Sequence, residues 1–75
     1  MNIFEVMFPD YTTFLFSSQM NTNDFVMTFN EVRAIKSPSG AIYNPRQYIY
    51  INLINNLEER QTRLVRPFQD SIVGK

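Results

Sequence analysis

The sequence predicts an α+β domain: a small antiparallel sheet of about four short strands followed by one long C-terminal helix. Three observations predict it. The first half breaks into short aromatic and β-branched runs separated by turn residues. Asn44-Pro45-Arg46-Gln47 spells a helix start. From Tyr50 onward, apolar residues recur at helical spacing. The alternative is an all-β protein, because residues 47–54 are also rich in Tyr and Ile and Asn55-Asn56 fits a hairpin turn.

Residues 2–8 form the first strand, with Phe4, Val6 and Phe8 on one face and Ile3, Glu5 and Met7 on the other. Pro9-Asp10 turns the chain, since proline presets φ and aspartate tolerates tight turns. Residues 11–17 give a second strand, Phe14 and Phe16 opposing Thr13 and Leu15, and 17–24 read as a polar loop. Phe25, Met27 and Phe29 alternate with Val26 and Thr28, which predicts a third strand. Residues 32–36 give a fourth. Ser37-Pro38-Ser39-Gly40 is a turn with Pro second and Gly fourth, so 41–43 return as a hairpin arm.

The helix is expected over 45–65. Asn44 caps it, Pro45 takes the first helical position, and Gln47 completes a capping box. Tyr50, Leu53, Ile54, Leu57, Gln61 and Leu64 share one face, and Glu59 stands four residues before Arg63. Pro67 ends the segment. Residues 1–66 are read as one small domain and 67–75 as a tail, loosely held unless Phe68, Ile72 and Val73 dock on it.

The chain has 75 residues with 7 positive and 7 negative side chains, and neither Cys nor His. Those absences remove disulfides, thiolate nucleophiles, Cys/His metal sites and the Ser-His-Asp and Cys-His arrangements. Only Gly40 and Gly74 are available, too few for a glycine-rich phosphate loop. Glu58 and Glu59 are sequence neighbours that diverge on a helix, and Asp10 and Asp24 fall in turns, so no carboxylate pair or metal cluster is expected. No catalytic residue, metal or cofactor is therefore predicted, and the chain is read as no enzyme. No apolar run suffices for a membrane helix, and the N-terminus lacks a basic signal-peptide start, so a cytoplasmic setting or one inside an assembled particle is expected.

Charge is uneven within the neutral total. Residues 1–32 carry −4 with no cation, and from Arg33 onward the balance is +4. A chain this short buries only roughly 60% of its unfolded surface. It has no crosslink to compensate, so a partner is the remaining stabilising device. Most of the aromatic ladder (Phe14, Phe16, Phe25, Phe29, Tyr48, Tyr50) is needed inside. Ile3, Met7, Leu15, Val26, Ile49, Ile51 and Val65 then compete for a second covered surface. The expected function is a non-enzymatic interaction or structural subunit with a protein partner or a second copy. Candidates are a minor component of a virus or phage particle or other large assembly, and a phage-type inhibitor docking on a host protein. Tyr48, Ile51, Arg60, Arg63 and Phe68 are the expected contacts. The alternative is a small nucleic-acid-binding module using Arg46, Arg60, Arg63 and Arg66, because guanidinium forks suit phosphate.

Overall fold

A computed structural model describes residues 1–73. It overturns the expected plan of one sheet followed by one long helix, and the all-β alternative with it. Two sheets of four and three strands are combined with three short helices distributed through the chain. In order these are β1 (Asn2–Met7), β2 (Thr13–Ser18), α1 (Thr22–Glu31), β3 (Ala34–Lys36) and β4 (Ile42–Tyr43). A 3-10 turn (Pro45–Gln47) then leads to β5 (Tyr50–Ile54), α2 (Glu59–Thr62), β6 (Val65–Pro67), α3 (Phe68–Ser71) and β7 (Ile72–Val73).

The larger sheet has the order β5-β1-β2-β6, and the smaller β4-β3-β7. β1 and β2 pair antiparallel with Phe4 opposite Phe16 and Val6 opposite Phe14, which puts these four rings and branches on one face. β5 runs antiparallel along the other side of β1, with Ile51 opposite Val6 and Leu53 opposite Phe4. β6 pairs parallel with β2, so the connection over residues 55–64 carries the chain from one edge of the sheet to the other.

Residues 25–29, expected as a strand, form the middle of α1. Phe25 and Phe29 stand four apart and are both buried, while Met27 points to solvent. Five residues of alternation fit a strand, but Phe25 and Phe29 also fit one helical stripe. The cap decides between them: Asn21 Oδ1 accepts from the Asp24 backbone N–H at 2.8 Å, satisfying a first-turn donor.

The helix expected over 45–65 is replaced by a single 3-10 turn, a strand and a four-residue helix. The cap signal is locally real, since Asn44 Oδ1 accepts from the Arg46 N–H at 3.0 Å, but it starts only the turn. Beyond it, Tyr and Ile favour extended backbone, three Asn weaken a helix, and β1 offers an open edge to pair with. The 37–40 turn forms as its residues dictate: the Gly40 N–H donates to Ser37 O at 2.9 Å, and Gly40 adopts φ 93°.

All seven phenylalanines lie in one core with Val6 and Ile35. Phe4 and Phe25 stack at 4.1 Å and 9°, joining β1 to α1. Residues 67–73 of the expected 67–75 tail dock on the rest of the chain, and residues 74–75 lie outside the described residues. Phe68 enters the core, 4.8 Å from Phe25 and 5.4 Å from Phe16, and β7 pairs with β3 through Ile72 opposite Ile35.

Candidate functional site

Phe68 is 1% exposed, so it is a core residue and is removed from the expected contact surface. Tyr48 is half-buried with its ring 5.9 Å from Phe29, and Ile51 is half-buried on β5. Arg60 lies on α2 and Arg63 caps its C-terminal end; both are exposed, but they border a furrow that also holds Glu58 and Glu59. Arg60 Nε lies 2.7 Å from Glu58 Oε2. The five expected contacts therefore do not form one patch.

The arginines of the nucleic-acid alternative are likewise dispersed in role. Arg46 is structural in its present pose: its guanidinium donates to the carbonyls of Asn30 at 3.1 Å, Val32 at 3.0 Å and Arg33 at 3.5 Å, closing the C-terminal end of α1. Arg66 borders an open groove of about 610 Å³ between the β3–β4 turn and the β6–α3 junction. Lys36, Asp70, Ser37 and Ser71 line it as well, and none of its three charged groups forms an ion pair among the described residues. The single ion pair among those residues, Arg60–Glu58, lies within the basic half of the chain. Two of the four acidic groups of the N-terminal half, Asp10 and Glu5, are satisfied by tyrosine hydroxyls instead, and no direct ion pair joins the two charge blocks among the described residues.

Asp10 shows that satisfaction most fully. Its Oδ1 accepts from the Thr12 N–H at 3.0 Å, and its Oδ2 accepts from Tyr43 Oη at 2.9 Å. The Thr12 backbone bond, followed by the Tyr43 hydroxyl, holds this carboxyl below its ordinary range. The network ties the β1–β2 hairpin to β4. Tyr11, at the same hairpin tip, is 80% exposed and takes φ 69°, an uncommon conformation for a non-glycine residue. On β5, desolvation and then the Glu5 charge raise the Tyr50 hydroxyl, which donates to Glu5 Oε1 at 3.3 Å.

Of the seven apolar residues expected to compete for cover, only Ile49 is exposed; Leu15 is buried and the others are half-buried. The exposed large hydrophobics are Met1, Tyr11, Met27, Ile42, Ile49, Leu53 and Leu64. Sequence reasoning missed most of these. The expected helix puts Leu53 and Leu64 on its buried face, and that helix does not form. The alternation of residues 25–29 puts Met27 on the inner face of a strand, whereas it lies on the outer side of α1. Two of the seven, Ile49 and Leu53, flank or sit on β5, an edge strand.

No protein-family model, curated protein or solved structure matches the chain. Among the described residues no helix is long and apolar enough to cross a membrane, and no three acidic side chains gather as a metal site.

Proposed function

We propose that the chain is a non-enzymatic interaction subunit that covers apolar surface against another protein or a second copy of itself. The observation that carries this reading is the distribution of apolar side chains. The core is filled by the seven phenylalanines, yet seven further large hydrophobics remain exposed, Leu53 at 43% and Ile42 and Leu64 at 60% and 64%. Charge supports the same reading. An acidic N-terminal block and a basic C-terminal block, without ion pairs between them among the described residues, supply an orienting field for an incoming surface.

Photo-cross-linking tests it. A benzophenone amino acid replaces Ile42, Leu53 or Leu64 in the full chain, expressed in its native cells. The expected result is a discrete cross-linked species from at least one position, with Glu59 as an exposed polar control that gives none. Absence of any discrete species at all three positions overturns the proposal.

A further inference from the structure

We infer that β5 is a pairing edge, and that its occupant is the β5 strand of a second copy, joined antiparallel about a two-fold axis through Asn52. The inference rests on the interaction reading and names its surface.

The backbone phase of the sheet identifies which groups are free. The Phe8 N–H donates to Thr12 O at 2.9 Å across the β1–β2 hairpin. Hydrogen bonding alternates along an antiparallel strand, so Phe4 and Val6 turn their backbone groups to β2 while Ile3, Glu5 and Met7 turn theirs to β5. The Ile49 N–H bonded to Met7 O at 2.7 Å agrees with that phase. Tyr50, Asn52 and Ile54, the partners of Met7, Glu5 and Ile3, are thereby committed to β1. Ile51 and Leu53 present their N–H and C=O outward. Among the described residues no strand lies beyond β5 and no hydrogen bond reaches that edge.

The other edges are guarded. β6 is three residues long and contains Arg66 and Pro67; β4 and β7 have two residues each. Proline, charge and short length are the usual protections of a sheet edge. β5 has none of them. Residues 47–57 contain no charged side chain and no proline.

Self-complementarity selects the occupant. With Asn52 on the axis, Ile51 faces Leu53 of the second copy and the reverse, which closes four backbone hydrogen bonds. Both side chains lie on the face shared with Phe4 and Val6, so the exposed Leu53 gains cover from Ile51 of the other copy. The two Asn52 side chains meet in a non-hydrogen-bonded pair with Cα atoms about 4.5 Å apart, close enough to exchange amide bonds. Tyr50 faces Ile54 across the axis on the opposite side of the sheet. Residues 47–57 are uncharged, so pairing two copies antiparallel sets no like charges opposite each other along the strand. A five-residue edge spans about 17 Å and buries less than the roughly 800 Å² per partner of a standard interface, so the pair dissociates on dilution.

Sedimentation velocity on the full chain from about 10 μM to about 1 mM tests this. The weight-average mass is expected to rise from monomer to dimer. Leu53→Pro removes an outward N–H without touching a bond to β1, and is expected to hold the chain monomeric with its circular dichroism unchanged. In a Glu5→Gln background, which removes the carboxylate opposite Asn52 on β1, Asn52→Lys and Asn52→Glu each place like charges on the axis and weaken self-association about tenfold or more; mixing the two restores a dimer. If Leu53→Pro fails to fold, the charge pair decides. A wild type that stays monomeric, or a dimer indifferent to both Asn52 variants, overturns the pairing. The interaction reading stands in either case if cross-links still form, and both fall if they do not.

Discussion

Replacing Phe68 by alanine separates a core residue from a surface contact in one measurement. Phe68 is 1% exposed and meets the rings of Phe16, Phe25 and Phe29 at 5.4, 4.8 and 5.9 Å. Truncating a buried phenylalanine costs about 3–5 kcal/mol, the transfer loss adding to the cavity left behind. At about 0.05–0.15 kcal/mol per residue, a chain of 75 residues is stable by only about 4–11 kcal/mol. The variant therefore loses about a quarter or more of its stability, and its melting point falls by more than about 10 °C. Urea denaturation followed by far-UV circular dichroism measures the loss. Tyr11→Ala, at an 80% exposed position, serves as the surface control and is expected to cost less than about 1 kcal/mol. A loss below about 1 kcal/mol for Phe68→Ala would refute the docking of the C-terminal segment and return Phe68 to the surface.

Three further outcomes follow from named bonds. Asn21→Ala removes the cap on the Asp24 N–H and is expected to cost about 1 kcal/mol by urea titration; an unchanged midpoint would return 25–29 to the strand reading. Arg46→Met frees the carbonyls of Asn30, Val32 and Arg33 and is expected to cost about 1 kcal/mol, with α1 amides exchanging faster; equal exchange rates would dismiss the clamp. Asp10 is held below its ordinary value of 3.8, so its contribution to stability is present above that pH and is lost as pH falls through the lower folded value. Tyr43→Phe removes one of the two bonds responsible and is expected to move the Asp10 titration, followed by NMR, upward; an unmoved curve contradicts the network.

The elements that sequence alone resolves are those whose signals are local. The alternation of Phe4, Val6 and Phe8, the paired rings Phe14 and Phe16, and the Ser37–Gly40 turn each have one low-energy solution, and the chain adopts it. Residues 25–29 have two, since Phe25 and Phe29 satisfy a period of two and a spacing of four alike. The deciding atoms, Asn21 Oδ1 and the Asp24 N–H, lay in a stretch whose polarity reads as loop. β5 fails for a different reason. Its apolar residues fit a helical stripe (Tyr50, Leu53, Ile54) and an extended pleat (Ile51, Leu53) alike, and the choice between them depends on the free side of β1, more than forty residues away in the chain. The exposed edge was illegible for the same cause: a strand's place in a sheet is a property of its partners. Phe68 was misplaced because a lone ring after a proline carries no periodicity.

Marginal stability and the unguarded strand are coupled through mass action. If the β5 edge binds only the folded chain, every tenfold excess of free chain over the dissociation constant adds about 1.4 kcal/mol to the folded state. A domain with no crosslink and a core limited to one cluster of nine residues gains proportionally more from that term than a larger protein does. The coupling also constrains interpretation of the Phe68 variant. Its melting point should climb with protein concentration as steeply as the wild type's, because the cavity lies in the core contributed by α3 and leaves β5 intact. A loss of that climb in Phe68→Ala, with wild-type climb retained, would place the C-terminal segment in the interface and move the pairing edge away from β5.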